Sequence, residues 1–155
     1  MPDGQTHYKY FKKGYLWNIP SSLILVLVDW RFGLGNLVGY SLHRYLDNDL
    51  DIMGTNLAEG RQVNELPVLG HIMFGISSAY GSIFRRYHRS FITHFPFVST
   101  FIRLCFFGAI PLLVADNLGI NLIGNGWHKF WIGLWVGLSQ ADAIHWALDK
   151  KFGGD

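Results

Sequence analysis

FPFVSTFIRLCFFGAIPLLVA, residues 95–115, is the stretch on which the reading of this chain turns. A bilayer's ~30 Å hydrocarbon core takes about 20 apolar residues of helix to cross, and here only Arg103 and Pro111 interrupt the run. A soluble protein would hide such a helix beneath others whose water-facing sides are rich in Lys and Glu. No long segment of this chain supplies them. Half of the 155 residues are apolar, 16% are aromatic and 15% are charged, against roughly 25% charged in soluble domains. The expected class is therefore all-α, an integral membrane helical bundle forming one domain over residues 1–155. A formal charge of +2 with no basic stripe excludes nucleic acid as the partner. Membrane lipids take that place.

Working outward, residues 15–28 (YLWNIPSSLILVLV) form an apolar stretch that an aromatic-rich helix could reach from Tyr8. Asp29, Trp30 and Arg31 make a polar turn, and residues 32–46 (FGLGNLVGYSLHRYL) read as a second helix. Its Gly33, Gly35 and Gly39 allow a neighbouring backbone to come close. Residues 47–65 are a polar loop, 66–84 an apolar segment rich in Gly and Ser, 117–128 a Gly/Asn loop and 129–151 the final helix. This pattern predicts about four transmembrane helices, with residues 66–84 lying along the interface. Were they to cross, the His/Asp clusters on either side of them would be parted. With the clusters together, Lys9, Lys12, Lys13, Arg44, Arg61, Arg85, Arg86, Arg89, Lys150 and Lys151 share their side. The positive-inside bias then puts the termini and the clusters in the cytoplasm. Met1 to Thr6 lack an apolar core, so no cleavable signal peptide is expected. Arg103 should either face the bundle interior, toward Asp29, or snorkel to the interface, while Trp17, Trp30, Trp127 and Trp131 anchor at the interface.

The donors a metal would need fall into four groups: His7; His43 with Asp47, Asp49 and Asp51; His88 with His94; and Asp142 with His145 and Asp149. Asp49 and Asp51 point the same way from an extended segment. Asp142, His145 and Asp149, three and four apart, share one helix face. There His145 and Asp149 either both ligate or one orients the other. His88 and His94 need a turn through Ser90 and Phe91 to meet. Imidazole and carboxylate without sulfur point to a divalent metal ion, zinc first and manganese or iron next. The surplus over four donors leaves room for two metals. Taken singly, Asp47 reads as an exposed loop acid and His43 as a helix-end residue. As a set, carboxylates beside a membrane are costly enough that pairing or metal binding is the better account. His71 and His128 lie outside the groups, the lone Cys105 offers neither disulfide nor thiolate site, and no spacing demands a haem.

Asp3-Gly-Gln-Thr-His7, Asp49-Leu-Asp51, His88-Arg89 through Thr93-His94, and His145-Trp-Ala-Leu-Asp149 occur in a telling order. In it the chain resembles a family of metal-binding membrane proteins of unknown function with GKTH-like, PDLD, HRG…SH and HxxxD motifs. More distantly it is similar to membrane-bound metal-dependent hydrolases. The resemblance implies metal ligands at His7, Asp49, Asp51, His88, His94, His145 and Asp149. Asn48 stands where the family has proline, Ser90 where it has glycine and Phe95 where it has serine. As a hydrolase, the protein would use the metal to acidify a bound water. Arg85, Arg86 and Arg89 would draw in the anionic headgroup of a lipid-like phosphoester, although the same arginines serve to orient the chain. The alternative is a non-catalytic small subunit or assembly factor of a larger membrane protein complex.

Overall fold

The computed structural model describes residues 4–43, 45–46, 67–87 and 90–152. Within them the order is α1 (Gly4–Val28), α2 (Trp30–Leu42), α3 (Pro67–Phe84), a 3-10 turn (Arg85–Tyr87), α4 (Phe91–His94), α5 (Pro96–Asn117) and α6 (His128–Phe152). No strand occurs among the described residues. Pro96 opens α5 at its first turn, where the missing N–H would have had no helical partner. Asp29 caps α2 by accepting from Arg31 N at 2.9 Å, which satisfies one of the unpaired amides of its first turn.

The centre of the molecule is α2 laid against α6. A Cβ placed on Gly35 would strike the Phe130 carbonyl, on Gly39 the Leu134 carbonyl, on Gly133 the Phe32 carbonyl and on Gly137 the Asn36 carbonyl. The register climbs together on both helices, so they run parallel, each presenting a small-xxx-small pair to the other. Such spacing lets two helices approach until their backbones touch, the packing used where no hydrophobic effect drives association. On the other flank of α2, Gly33 lies against Ser22 and Val26, which seats α1. α5 then packs along α6.

The expectation of about four membrane-crossing helices is overturned. Among the described residues α5 alone is long and apolar enough to cross a membrane, with a mean hydropathy of 2.0. Length defeats α1 and α2. Lys9, Lys12 and Lys13 occupy the first half of α1, leaving residues 16–28 as its apolar part, about 20 Å at 1.5 Å per residue. The 13 residues of α2 reach no farther. Polarity defeats the others: α3 is diluted by His71, Ser77, Ser78 and Ser82, and α6 by Ser139, Gln140, Asp142, His145 and Asp149.

The distribution of polarity is inverted relative to a soluble protein. Asn18, Asn36, Thr100, Arg103, Ser139 and Asp142 are buried, whereas Trp17 is 81% and Leu27 87% exposed. Only 22% of the apolar window of α5 is buried, so this helix is not the core of the bundle.

Candidate functional site

Along α6, Asp142, His145 and Asp149 fall on the face turned toward the ends of α2 and α5. Asp142 is fully buried and its Oδ2 is met twice from α5. Arg103, reaching from α5, donates through Nη2 to Asp142 Oδ2 and through Nη1 to the Leu46 carbonyl, and its Nε donates to the Ser99 carbonyl at 3.3 Å. The Thr100 hydroxyl, one turn earlier, lies between the Pro96 carbonyl and the same carboxylate oxygen. Ion pairing and hydrogen bonding together keep such a carboxylate inside the protein. Asp142 Oδ1 is buried without a hydrogen-bond partner; His43 Nε2 lies 3.6 Å from it.

The expected pairing of Arg103 with Asp29 is therefore corrected. Asp29 sits at the far end of α2, where Lys129 Nζ donates to it at 2.7 Å. The Lys129 hydrogen bond, then that of the Arg31 amide, holds the Asp29 carboxyl below the usual carboxylate range. The parallel register of α2 and α6 explains the exchange. Residue 129 must lie beside the start of α2, and residue 142 beside its end.

Two imidazoles meet above Asp142. His43, at the C-terminal cap of α2, stacks on His145 with ring centroids 5.9 Å apart and planes 23° from parallel. His145 Nε2 lies 3.2 Å from Asp149 Oδ2, the i,i+4 partner expected from helical spacing. The ring of Phe11 on α1 covers His43 at 5.5 Å. Phe11 is fixed in turn by Tyr40, whose hydroxyl donates to the Phe11 carbonyl at 2.7 Å. Burial pushes that phenol well above its ordinary pKa, so it stays a donor at any working pH.

Of the seven residues implied as ligands, His145 and Asp149 are brought together. His7 lies on α1 one turn before Phe11, and His94 closes α4. Asp49, Asp51 and His88 lie outside the described residues. Phe11 touches His43, the carbonyl of Leu46 is held by Arg103, and the ring of Phe95 meets Trp146 at 6.4 Å. Where a turn through Ser90 and Phe91 was expected, Phe91 opens α4, the Ser90 amide donates to the Tyr87 carbonyl at 2.8 Å, and the Thr93 hydroxyl donates to the same carbonyl at 2.6 Å.

Two conclusions about chemistry follow. Asp142 is engaged by a guanidinium and a hydroxyl, so it acts as an anchor for the cluster and not as a free anionic ligand. Among the described residues, no group of three or more His, Cys, Asp or Glu side chains is arranged to hold a metal ion. A metal here would need donors beyond His145 and Asp149. Sequence reasoning missed the role of Thr100 and placed Arg103 on the wrong carboxylate. The available signal was their i,i+3 spacing on the one apolar helix, which aims both at the same neighbour. The chain matches no protein-family model, no curated protein and no solved structure.

Proposed function

We propose that this protein is anchored in a membrane through α5 and holds a divalent metal ion, zinc before manganese or iron, beside His145. The observation that carries the reading is the His145–Asp149 pair. It sets a carboxylate 3.2 Å from an imidazole nitrogen, and a carboxylate that bonds the ring of a ligating histidine fixes ring direction and raises ligand basicity in metal sites. Phe11, Leu46 and Phe95, near His7, Asp49 and His94 in sequence, make contacts at the same end of the bundle, and in this reading His7, Asp49, Asp51, His88 and His94 would complete the donor set. The Pro96 end of α5 faces the cytoplasm, because Arg85 and Arg86 precede it and Lys150 and Lys151 return to the same side. With a metal bound, a water at the site would be acidified and an anionic phosphoester polarised, the chemistry of a hydrolase.

Elemental analysis of the purified protein tests the metal. One or two equivalents of a divalent transition metal should be present, and should be lost in Asp51→Ala, His94→Ala and Asp149→Ala. Metal-free protein that takes up no zinc, manganese or iron would end the proposal. Turnover of a phosphoester by the loaded protein separates hydrolase from binding protein.

A second reading, a small subunit of a larger membrane complex, is favoured by the exterior of α1. Leu16, Trp17, Leu23, Ile24, Leu27 and Val28 are exposed on a segment too short to cross the bilayer alone. Contiguous apolar surface of that kind is ordinarily covered. A stable complex recovered from native membranes, with no turnover by the isolated chain, would distinguish this reading from hydrolysis.

A further inference from the structure

α3 does not pack closely on α5. It is propped away by Tyr80, whose ring meets Phe106 at 5.4 Å and Phe107 at 5.8 Å. The gap is an open cleft of about 670 Å³ lined by Ile76, Ala79 and Phe84 on one side and Phe101, Cys105 and Ala109 on the other. Its size falls within the roughly 300–1,000 Å³ of ligand pockets, but its walls are apolar nearly throughout and offer no set of converging hydrogen-bonding groups. A polar metabolite would lose its hydration there and gain nothing in return. A hydrocarbon chain fits. The cleft follows α5 from Phe101 to Ile110, about 13 Å at the helical rise, along the one described helix able to lie in a bilayer.

Charge lies next to it. Phe84 lines the cleft and is the last residue of α3, and the chain passes directly into the 3-10 turn carrying Arg85 and Arg86. Both arginines are exposed, and neither makes an ion pair among the described residues; Arg86 lies over the Tyr87 ring at 4.8 Å. An exposed cation pair at the end of an apolar trough is complementary to an anionic headgroup with its tail attached. We propose that the cleft binds one acyl chain of an anionic phospholipid, with Arg85 and Arg86 meeting its phosphate. The proposal rests on α5 lying in a bilayer and is independent of the metal.

Cys105 gives a native reporter, since it lines the cleft and is exposed. The purified full chain in detergent is treated with N-ethylmaleimide in the presence of phosphatidylglycerol or phosphatidylcholine, and retained lipid is counted by native mass spectrometry. Phosphatidylglycerol should slow alkylation and be retained with about a tenfold preference, the scale of one charge-assisted contact. Arg85→Gln with Arg86→Gln should abolish the preference while leaving a residual chain, and Ala109→Trp, which fills the trough, should lose both lipids. Equal protection by the two lipids, a preference that survives loss of both arginines, or undiminished lipid on a folded Ala109→Trp variant would overturn the proposal. Should that variant fail to fold, the alkylation rates of the unmodified chain decide alone. Flotation with vesicles separates the causes of failure. A chain that does not float overturns the membrane reading and this proposal together, whereas one that floats with Cys105 unprotected overturns only the cleft.

Discussion

Arg103 is the residue whose surroundings say most about the interior. Its guanidinium is 1% exposed and is met by Asp142, the Leu46 carbonyl and the Ser99 carbonyl, so charge and donors are satisfied in one step. Removing the arginine strands a buried carboxylate. Arg103→Met should therefore destabilise the protein by about 3–5 kcal/mol, whereas Arg103→Met with Asp142→Leu should recover most of the loss, because an apolar pair of similar volume is often no worse than a buried ion pair. Unfolding in detergent followed by circular dichroism measures both, and a double variant as unstable as the single one would refute the account. The sequence left Arg103 two directions, inward or snorkelling to the interface, and its full burial decides for the first. Its partner was not legible. Asp29 and Asp142 are both available by composition, and only the parallel run of α2 and α6 decides between them. The His145–Asp149 pair was legible for the opposite reason, being set by local helical spacing. Thr100 was missed because a hydroxyl in an apolar run carries no signal of its partner.

At the scale of the element, the contact between α2 and α6 depends on glycine at four positions, each closed against backbone that has no side chain to move. Gly39→Ala or Gly137→Ala must push the helices apart, and overpacking of this kind costs about 1–3 kcal/mol. Gly75 on α3 is the matched control, with nothing within 4 Å of an added Cβ; Gly75→Ala should stabilise by about 0.5–1 kcal/mol through helix propensity alone. Melting temperatures of the three variants test the contrast, and a Gly39→Ala protein as stable as its parent would show that the close approach is dispensable. Gly33, Gly35 and Gly39 announced a close neighbour in the sequence, but Gly133 and Gly137 repeat the spacing and went unread beside the aromatic residues of α6. Residues 95–115 were expected as a span and appear as α5, Pro96–Asn117, because an unbroken apolar run is a local signal. The second helix, expected over 32–46, instead runs Trp30–Leu42, with Asp29 capping it earlier and the chain turning at His43. The first helix begins at Gly4, about one turn before Tyr8, from which the aromatic-rich stretch allowed it to extend.

Across the described residues of the whole molecule, charge collects at two ends. At one lie His43, Arg103, Asp142, His145 and Asp149; at the other, Asp29 accepts from Lys129 while Arg31 lies between the rings of Trp30 and Trp127 at 5.3 and 5.9 Å. The 13 residues of α2 separate them by about 20 Å, less than the ~30 Å of a hydrocarbon core. Counting apolar segments therefore overstated the number of crossings: several segments have apolar faces, but among the described helices only α5 has the length and continuity. The Asp29–Lys129 pair ties the turn between α1 and α2 to the start of α6, residues 100 apart in the chain, so it holds the first and last helices in register at the end away from the site. Its pH dependence has a definite sign. The folded Asp29 carboxyl lies below its ordinary value of 3.8, so the folded state binds its proton less readily than the unfolded chain. The contribution is present in full above the unfolded value and declines as pH falls through the folded one. Lys129→Met removes the principal cause of the shift. The stability difference between parent and Lys129→Met should then be level above about pH 5 and shrink steadily below about pH 4. Histidines at the site end are common to both proteins, so the subtraction cancels them. Thermal melts across that range give the curve, and a difference that grew on acidification would contradict an ionised Asp29 as the clamp at this end.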